Sequence, residues 1–329
     1  AFRTSSSGTT TMLGGSSQLN YNNTFTTGAF VRSPGGGVLS AYYVNGGFTA
    51  TSAPTISGSL VPWLTDRGGQ NFYVFNGTSF GAAPQNYSND INAQATGAGI
   101  NVYQSGGGAQ QVLTASRTAG TVAAITNASY LLKSYGFTLS AIAFAGTSTR
   151  SITADGGGFL GIPSTSGELI VTIAGGPLEI AAPVIESSGG GWLTLGVSRA
   201  YNPASDVFAT SVITLSGSNS HTGGTSFLAG GFNVNNAYAL GSGTFRIGGN
   251  AITGTVSLGT WAGPVRTVTV NAGNLTVGGP IVNGSYSDLP TTGLAKDGNG
   301  MLILSGSNAY TGATEVWGGE LRFANRNAL

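Results

Sequence analysis

Residues 303–329 read ILSGSNAYTGATEVWGGELRFANRNAL, and residues 214–240 read TLSGSNSHTGGTSFLAGGFNVNNAYAL. With an offset of 89, residues 215–240 and 304–329 align without a gap and are identical at 12 of 26 positions. The identical residues include the Leu-Ser-Gly-Ser-Asn block, a Thr-Gly pair and the final Ala-Leu. The chain therefore contains an internal repeat, and internal repetition is typical of stacked architectures.

A second pair of matching segments precedes the two copies. PLEIAAPVIESS at 177–188 resembles NLTVGGPIVNGS at 274–285, with an offset of 97. Together the matches define two related units, residues 177–250 and 274–329. The two offsets differ by eight residues, which predicts an insertion in the first unit around residues 199–209.

Apolar and polar residues alternate along several short segments, for example ELIVTI at 168–173 and TVTVN at 267–271. A period of two is typical of β-strands. Gly-Gly, Asn-Gly and Asp-Gly pairs lie between these segments and favour turns. YLLKSYGFTLSAIAF at 130–144 is the nearest candidate for a helix, but its β-branched and aromatic residues fit a strand as well. The sequence therefore predicts an all-β protein.

The composition excludes several classes of protein. Asp, Glu, Lys and Arg make up 7% of the chain, against about 25% in an ordinary domain. The net charge of +1 gives no electrostatic attraction for nucleic acid or anionic lipid. Cysteine is not present in the sequence, so disulfides cannot stabilise the fold. Stability must come from backbone hydrogen bonds and apolar burial, and we predict no nucleic-acid partner.

The sequence also gives no sign of membrane insertion. No apolar run reaches the length of about 18 residues that a membrane helix needs. Residues from Ala1 onward have neither the charged segment nor the apolar segment of a secretory signal. We therefore interpret the sequence as a mature chain or an excised fragment.

These patterns predict a β-solenoid, in which short strands form coils that stack on one another. Residues 120–329 are predicted to form the solenoid, with the two related units inside it. Residues 1–56 are predicted to be N-terminal strands that begin the solenoid, and residues 57–119 an irregular, aromatic-rich insert or loop-rich coils. Coils of about 20–25 residues that rise about 4.8 Å each give a rod of about 60–80 Å.

Two blocks carry a resemblance to a known family. GLAKDGNGMLILSGSNAYTGATEVWGGELRF at 293–323 and ITLSGSNSHTGGTSFLAGGFNV at 213–234 are similar to the autotransporter-associated β-strand repeat. Membership of that family implies a right-handed parallel β-helix in a bacterial protein that is secreted or displayed on the cell surface. It also implies a structural or adhesive role. One departure from the family pattern is His221, which stands where the second copy has Tyr310.

His221 is the only histidine of the chain. Its counterpart in the repeat, Tyr310, is an aromatic residue that carries no general-base function. The alignment therefore predicts that His221 packs in a turn, and not that it catalyses a reaction.

Two pairs of carboxylates are candidates for the acid and base of a glycosidase, since β-helices also include enzymes that cleave sugars. The pairs are Glu179 with Glu186 and Glu315 with Glu320. The counterparts of these residues in the other copy are not acidic, so we interpret them as surface acids and predict no enzyme and no cofactor. Asp297 in KDGNG suits a tight turn, and calcium binding there is the alternative.

An aromatic cluster offers a second kind of site. Trp63, Phe72, Tyr73 and Phe75 lie close together in the sequence. Such a cluster forms either the core of a small unit or a platform on which sugar rings stack, and the sequence leaves both open. A polysaccharide-binding or polysaccharide-cleaving β-helix is therefore the alternative to a structural protein.

The first copy continues after Ala239-Leu240 with Thr244-Phe245-Arg246-Ile247, whereas residues 1–4 read Ala-Phe-Arg-Thr. An unpaired sheet edge attracts a further strand. With the resemblance described above, we therefore predict an extracellular structural subunit that associates with itself head to tail and forms a filament. The same match is expected if this chain is one period of a longer tandem protein, and the sequence leaves both interpretations open. The predicted interface consists of Ala1, Phe2, Arg3, Thr4, Asn327, Ala328 and Leu329.

Overall fold

The structure of the protein is a computed structural model. It describes residues 10–12, 16–21, 25–44, 47–66, 70–105, 110–125, 128–197, 212–228, 231–234, 236, 238–241, 244–247, 255–258, 266–270, 274–277 and 293–329. In these residues the chain forms β-strands and a 3₁₀ helix at Ile91–Ala93. None of their helices is long and apolar enough to span a membrane. The predicted all-β solenoid is confirmed.

Two sheets form the main stack of coils. Sheet one contains β9 (Asn86–Tyr87), β10 (Gly97–Gln104), β12 (Arg117–Ala124), β14 (Gly136–Ala145), β17 (Glu168–Ala174), β20 (Trp192–Val197), β22 (Gly224–Phe227), β24 (Thr244–Ile247), β26 (Arg266–Val270), β28 (Leu294–Asp297) and β30 (Thr314–Val316). At its side β14 also pairs with β16 (Phe159–Ile162), which pairs with β19 (Val184–Glu186).

Sheet two supplies the other strand of each coil. It contains β11 (Gln111–Val112), β13 (Tyr130–Leu131), β15 (Arg150–Thr153), β18 (Leu178–Ile180), β21 (Val212–Leu215), β23 (Gly231–Val234), β25 (Thr255–Leu258), β27 (Asn274–Val277), β29 (Met301–Leu304) and β31 (Glu320–Phe323). The chain alternates between the two sheets and makes about nine turns in the described residues. At about 4.8 Å per turn the stack is about 43 Å long, shorter than the predicted rod because the N-terminal residues lie beside it.

Parallel pairing in register builds the core of the stack. Val122 pairs with Ile142, Ile142 with Val171, Val171 with Leu195, and Leu195 with Phe227. Each of these side chains is at most 1% exposed. Full burial of such a side chain stabilises a fold by about 1.5–3 kcal/mol, so the alternation that predicts the strands also supplies the apolar column that joins the coils.

The N-terminal residues form a second, shorter set of strands, here called the arm (residues 10–82). Its strands are β1 (Thr10–Met12), β2 (Ser16–Tyr21), β3 (Phe25–Arg32), β4 (Val38–Val44), β5 (Phe48–Ser52), β6 (Leu60–Asp66), β7 (Phe72–Phe75) and β8 (Phe80–Ala82). One parallel sheet has the order β1-β3-β5, and a second has the order β2-β4-β6-β7-β8 with its last two pairings antiparallel.

The arm packs across the outer face of sheet one. Leu60 of β6 lies against Gly120 of β12, because a Cβ added to Gly120 would lie only 2.6 Å from Cδ2 of Leu60. Further along the same strand, Trp63 and Thr65 line a small cavity together with Thr172 of β17. Strand β6 therefore crosses several strands of the stack.

Small and apolar outward-facing residues of sheet one make room for the arm. Ala123, Ala141, Ala143, Ile170 and Leu228 are at most 1% exposed and belong to the same apolar cluster as the rings of the arm. The strands of sheet one that the arm covers are thus buried on both faces, which explains the nearly continuous apolar sequence of β14. The structure places residues of the predicted first coils (1–56) and of the predicted insert (57–119) together in the arm, beside the solenoid.

At one end of the stack, a 3₁₀ helix caps sheet two. The N–H of Ile91 donates to Oε1 of Gln111 at 2.9 Å, and Nδ2 of Asn92 donates to the carbonyl of Val112 at 2.8 Å. Oδ1 of Asn92 accepts from the N–H of Thr114 at 3.0 Å. The 3₁₀ helix therefore satisfies the outer edge of β11, which protects this edge from pairing with another chain.

A partly buried carboxylate in the arm makes the stability of the arm depend on pH. Asp66 ends β6, and its Oδ1 accepts from the N–H of Asn71 at 2.6 Å. Burial raises the pKa of Asp66 from 3.8 to about 6, although the N–H groups of Asn71 and Gln70 favour the charged form. A raised folded-state pKa stabilises the fold below the unfolded-state pKa, and this contribution is lost as the pH rises through about 6.

We expect Asp66→Asn to remove this loss, because an amide oxygen still accepts from Asn71 and carries no charge. Relative to the wild type, the variant should gain about 2–3 kcal/mol in free energy of unfolding between pH 3.5 and pH 7, at about 1.4 kcal/mol per pKa unit. Urea unfolding at the two pH values measures it. A difference between variant and wild type that does not change with pH would contradict this assignment.

Candidate functional site

The Leu-Ser-Gly-Ser-Asn block forms the turn that carries the chain from sheet two to sheet one. In the first copy this turn joins β21 to β22, and its asparagine, Asn219, is 7% exposed. Oδ1 of Asn219 accepts from the N–H of Val184 at 2.7 Å, and Nδ2 donates to the carbonyl of Ala239 at 2.5 Å. One side chain therefore bonds the coil before it and the coil after it.

The second copy repeats this arrangement one coil from the end of the described chain. Nδ2 of Asn308 donates to the carbonyl of Ala328 at 2.6 Å. A second asparagine of each copy also bonds the preceding turn, since Nδ2 of Asn236 donates to Ser216 and Nδ2 of Asn325 donates to Ser305. The repeated asparagines thus fasten adjacent coils, and this physical requirement explains why the motif recurs.

His221 occupies the place of Tyr310 in this framework. Nε2 of His221 lies 2.8 Å from Oγ1 of Thr225, and the hydroxyl of Tyr310 lies 2.5 Å from Oγ1 of Thr314. His221 is fully buried. The shared contact with a threonine four residues later supports the packing role that the alignment predicts.

The acids of the first unit hold turns together. Glu186 accepts from the N–H of Gly191 at 2.6 Å, from the N–H of Thr222 at 3.1 Å and from the hydroxyl of Thr222 at 2.8 Å. Burial raises the pKa of Glu186, but these hydrogen bonds and the charge of His221 together lower the pKa by more than burial raises it. The pKa of Glu186 therefore lies below its ordinary value. Glu179 is exposed and accepts from the hydroxyl of Ser216 at 2.7 Å.

The turn KDGNG is organised by its lysine. Lys296 is 0% exposed, and its Nζ donates to the carbonyls of Asp297, Gly298 and Gly318 at 2.7–2.9 Å. Burial lowers the pKa of Lys296, and the charge of Asp297 partly offsets this effect. Oδ1 of Asp297 accepts from the N–H of Gly298 at 2.7 Å, as expected for a tight turn. Among the described residues, no three His, Asp or Glu side chains form a group that could hold a metal ion.

The aromatic residues proposed to contact sugar lie inside the arm. Trp63, Phe72 and Phe75 are 2%, 1% and 7% exposed, and Tyr73 is half-buried. Nε1 of Trp63 donates to the carbonyl of Pro54 at 2.8 Å. The sequence leaves two interpretations open, the core of a small unit and a platform for sugar rings. The positions of these side chains correspond to the core of a small unit.

Sequence reasoning did not find the ion pair that joins the arm to the stack. Arg32, at the end of β3, donates from Nη1 to Oε2 of Glu168 at 2.5 Å and from Nη2 to Oε1 at 2.8 Å. Glu168 begins β17 and also accepts from the N–H of Gly35 at 2.9 Å and from the hydroxyl of Thr194. Both charged side chains are 5% exposed. This is the only ion pair between described residues, and it is buried.

The sequence Ser-Pro-Gly-Gly at 33–36 contains the signal for this contact. The N–H of Gly36 donates to the carbonyl of Ser33 at 2.9 Å, and Gly35 has a φ of +76°, as in a type II turn with proline at its second position. A Cβ on Gly35 would lie 2.6 Å from the ring of Trp192. Glycine therefore permits both the turn and its close approach to the stack.

The described part of the predicted assembly interface is bonded within its own chain. Ala1, Phe2, Arg3 and Thr4 lie outside the described residues. The carbonyls of Asn327 and Ala328 accept from the main-chain and side-chain nitrogens of Asn308 at 2.8 and 2.6 Å. Leu329 is 78% exposed. The main-chain groups of these residues fasten the last described coil to the coil before it.

Strands β30 and β31 form the outer edges of the two sheets at this end, and we call them the open edge. Near it Val316, Trp317 and Phe323 are 52%, 58% and 40% exposed. Their counterparts in the first copy include Phe227 and Leu228, which are 0% and 1% exposed. Strand β24 lies beside Phe227, and the arm covers Leu228. The open edge therefore exposes apolar side chains at positions that are buried elsewhere in the stack.

One comparison with known proteins identifies these turns. The family model of the passenger-associated-transport-repeat matches residues 210–234 and 294–323, which contain the two Leu-Ser-Gly-Ser-Asn turns. No curated protein and no solved structure matches the chain. This repeat occurs in autotransporter passengers, and it implies a secreted or surface protein. The predicted resemblance is confirmed, since two segments of the chain match the passenger-associated-transport-repeat.

Proposed function

We propose that this protein is an extracellular structural subunit that associates head to tail through the open edge, and that it has no catalytic role. The observation that carries the proposal is the exposure of Val316 and Phe323 on strands that have a neighbour on one side only in the described chain. A further strand on this edge would continue the sheet and cover these apolar side chains.

The hydrogen-bonding groups of β30 support such an addition. The carbonyl of Ala313 accepts from Leu294, and the N–H of Trp317 donates to Lys296 at 2.7 Å. Because successive residues of a strand direct their main-chain groups to opposite sides, those of Thr314 and Val316 point away from β28. They are placed to pair with an incoming strand.

The first copy suggests which strand is added. There β24, with the sequence Thr-Phe-Arg-Ile at 244–247, pairs with β22. Residues 1–4, Ala-Phe-Arg-Thr, have a similar sequence. We propose that they extend the open edge of a second copy of the chain. The 3₁₀ helix caps sheet two at the opposite end of the stack, so the contact joins two different surfaces and propagates into a filament.

A polysaccharide-binding role has less support. The aromatic residues that would stack on sugar rings are in the core of the arm, with Trp63 and Phe72 at most 2% exposed. The carboxylates Glu179 and Glu186 are hydrogen-bonded to side chains or turns of adjacent coils. These contacts favour the structural role.

Two variants of the full chain test the proposal. Deletion of residues 1–4 should abolish sedimentable filaments, because it removes the incoming strand. Val316→Pro should do the same, because proline removes an outward N–H without removing a bond to β28. Negative-stain images and sedimentation measure assembly, and circular dichroism should show an unchanged subunit. Val316→Thr, which keeps the N–H and the β-branched shape, is the matched control and should still assemble. Filaments that persist in both the deletion and the proline variant would overturn the proposal.

A further inference from the structure

The outer face of sheet one carries a pair of tyrosines beside the arm. Tyr87 of β9 pairs with Tyr103 of β10, and Tyr103 pairs with Ala123 of β12, which belongs to the apolar cluster of the arm. The two tyrosines therefore point to the outer face. Tyr103 packs against the arm, whereas Tyr87 is 65% exposed. Strand β8 of the arm precedes β9, so this end of sheet one lies within the sequence and not at its limit.

The ring of Tyr87 is held in position although it is exposed. Its centroid lies 4.7 Å from that of Tyr103, and the two rings meet edge to face at an angle of 64°. The hydroxyl of Tyr87 donates to Oε1 of Gln85. An edge-to-face pair contributes about 0.5–1.5 kcal/mol beyond the burial of its surface. Because these contacts order the ring in advance, a ligand that stacks on Tyr87 does not have to order it.

Polar groups of the arm lie beside this tyrosine pair. Asn101 lies two residues before Tyr103 on the same face of β10, and its Nδ2 donates to Oδ1 of Asn71 at 2.9 Å. The N–H of Asn71 donates to Oδ1 of Asp66 at 2.6 Å. Burial raises the pKa of Tyr103 most, and the charges of Tyr87 and Asp66 raise it further. A carboxylate therefore lies near the aromatic rings.

We infer that Tyr87 and Tyr103 form a binding site for one sugar ring of a β-linked glucan or of a polymer of N-acetylglucosamine. In these sugars the ring substituents are equatorial, so the axial C–H groups form an apolar face that packs on an aromatic ring. The hydroxyls at the rim of the sugar require polar partners. Nε2 of Gln85 can donate while its Oε1 accepts from Tyr87, and Asp66 supplies a carboxylate nearby. The inference does not depend on the proposed head-to-tail association.

The size of the exposed surface favours a sugar over a protein partner. A stable protein interface covers about 800 Å² on each partner and has an apolar centre. Here Tyr87 is exposed and Tyr103 is half-buried, and the other exposed large apolar side chains of the described residues lie in other strands or near the open edge. The site is also distinct from Trp63 and Phe72 in the core of the arm, and the sequence did not single out its two tyrosines.

Titration calorimetry of the full chain with cellohexaose and with N-acetylchitohexaose tests this inference. At least one of the two oligosaccharides should bind with a dissociation constant of about 0.1–1 mM. Tyr87→Ala should weaken binding at least about tenfold, because it removes the exposed ring. Tyr87→Phe keeps the ring and should bind within about threefold of the wild type. Ile185→Ala is the control for loss of an exposed apolar side chain elsewhere in the stack and should leave binding unchanged.

Circular dichroism and urea unfolding should show that the variants fold as the wild type does. Failure of both oligosaccharides to bind the wild type at millimolar concentration would overturn the inference. Equal binding by Tyr87→Ala and the wild type would do so too. If Tyr87→Ala bound the sugars normally but no longer assembled, the surface would be a contact between copies of the chain and not a sugar site.

Discussion

Replacement of Glu168 with leucine is expected to lower the free energy of unfolding by about 3–5 kcal/mol, because it leaves the guanidinium of Arg32 buried without a counter-charge. Glu168 also accepts from the N–H of Gly35, so the turn that rests on sheet one loses its acceptor. Urea unfolding measures the loss. Trypsin reports the position of the arm, since cleavage after Arg32 should become faster when the arm separates from the stack.

Two controls separate the ion pair from a general effect of the substitution. Arg32→Met/Glu168→Leu should recover most of the lost stability, because apolar residues of similar volume often replace a buried ion pair without cost. Glu179→Gln removes a carboxylate that is exposed and should cost less than about 0.5 kcal/mol. A Glu168→Leu variant as stable as Glu179→Gln would show that the ion pair does not hold the arm.

Asn219→Ala is expected to destabilise the protein by about 3 kcal/mol. The substitution leaves the N–H of Val184 and the carbonyl of Ala239 without their partner, and both residues are 0% exposed. An unsatisfied buried group costs about 1–3 kcal/mol. Thermal and urea unfolding measure the effect, and hydrogen exchange at Val184 should become faster than in the wild type.

The second copy provides the matched comparison. Asn308 makes the equivalent bond to Ala328 but is half-buried, so water can replace part of what Asn308→Ala removes. Asn308→Ala should therefore lower the free energy of unfolding by about 1 kcal/mol. Asn219→Asp should be worse than Asn219→Ala, because a carboxylate oxygen would then face the carbonyl of Ala239. Equal losses for Asn219→Ala and Asn308→Ala would show that burial does not determine the strength of this contact.

The solenoid was predictable because its determinants are local. Alternation in segments such as 168–173 indicates strands, and the glycines and asparagines between them indicate turns. The repeat at Asn219 and Asn308 indicates stacking, and both asparagines indeed bond an adjacent coil. Each of these signals lies within about one coil of the residues that it contacts.

The arm was not predictable in the same way, because its contacts join distant parts of the chain. Arg32 and Glu168 are 136 residues apart, and neither lies in a motif. The signal in sheet one was the set of alanines, such as Ala141 and Ala143, that alternate with larger apolar residues in β14. A strand that is apolar on both faces indicates a second packing layer, but it does not identify which residues form that layer.

The candidate site shows a similar limit. The sequence predicted an edge at the last repeat and assigned it to residues 327–329. The structure places the outer edges of the sheets at Thr314–Val316 and Glu320–Phe323. Asparagine side chains and main-chain carbonyls bond residues 327 and 328 to the preceding coil. Which groups of a terminal turn remain available depends on such contacts, and these are not visible in an alignment of two copies.

The crossing of sheet one by β6 has a consequence for the mechanics of the stack. In a solenoid each coil contacts only its neighbours, so unfolding can proceed one coil at a time. A strand with residues against both β12 and β17 ties several coils together, and they must separate from the arm as a block. Near β30, where Trp317 is exposed, the described strands pair with the strands of neighbouring coils. Under a pulling force, the coils that the arm joins should therefore unfold together, and the coils near β30 should unfold one at a time.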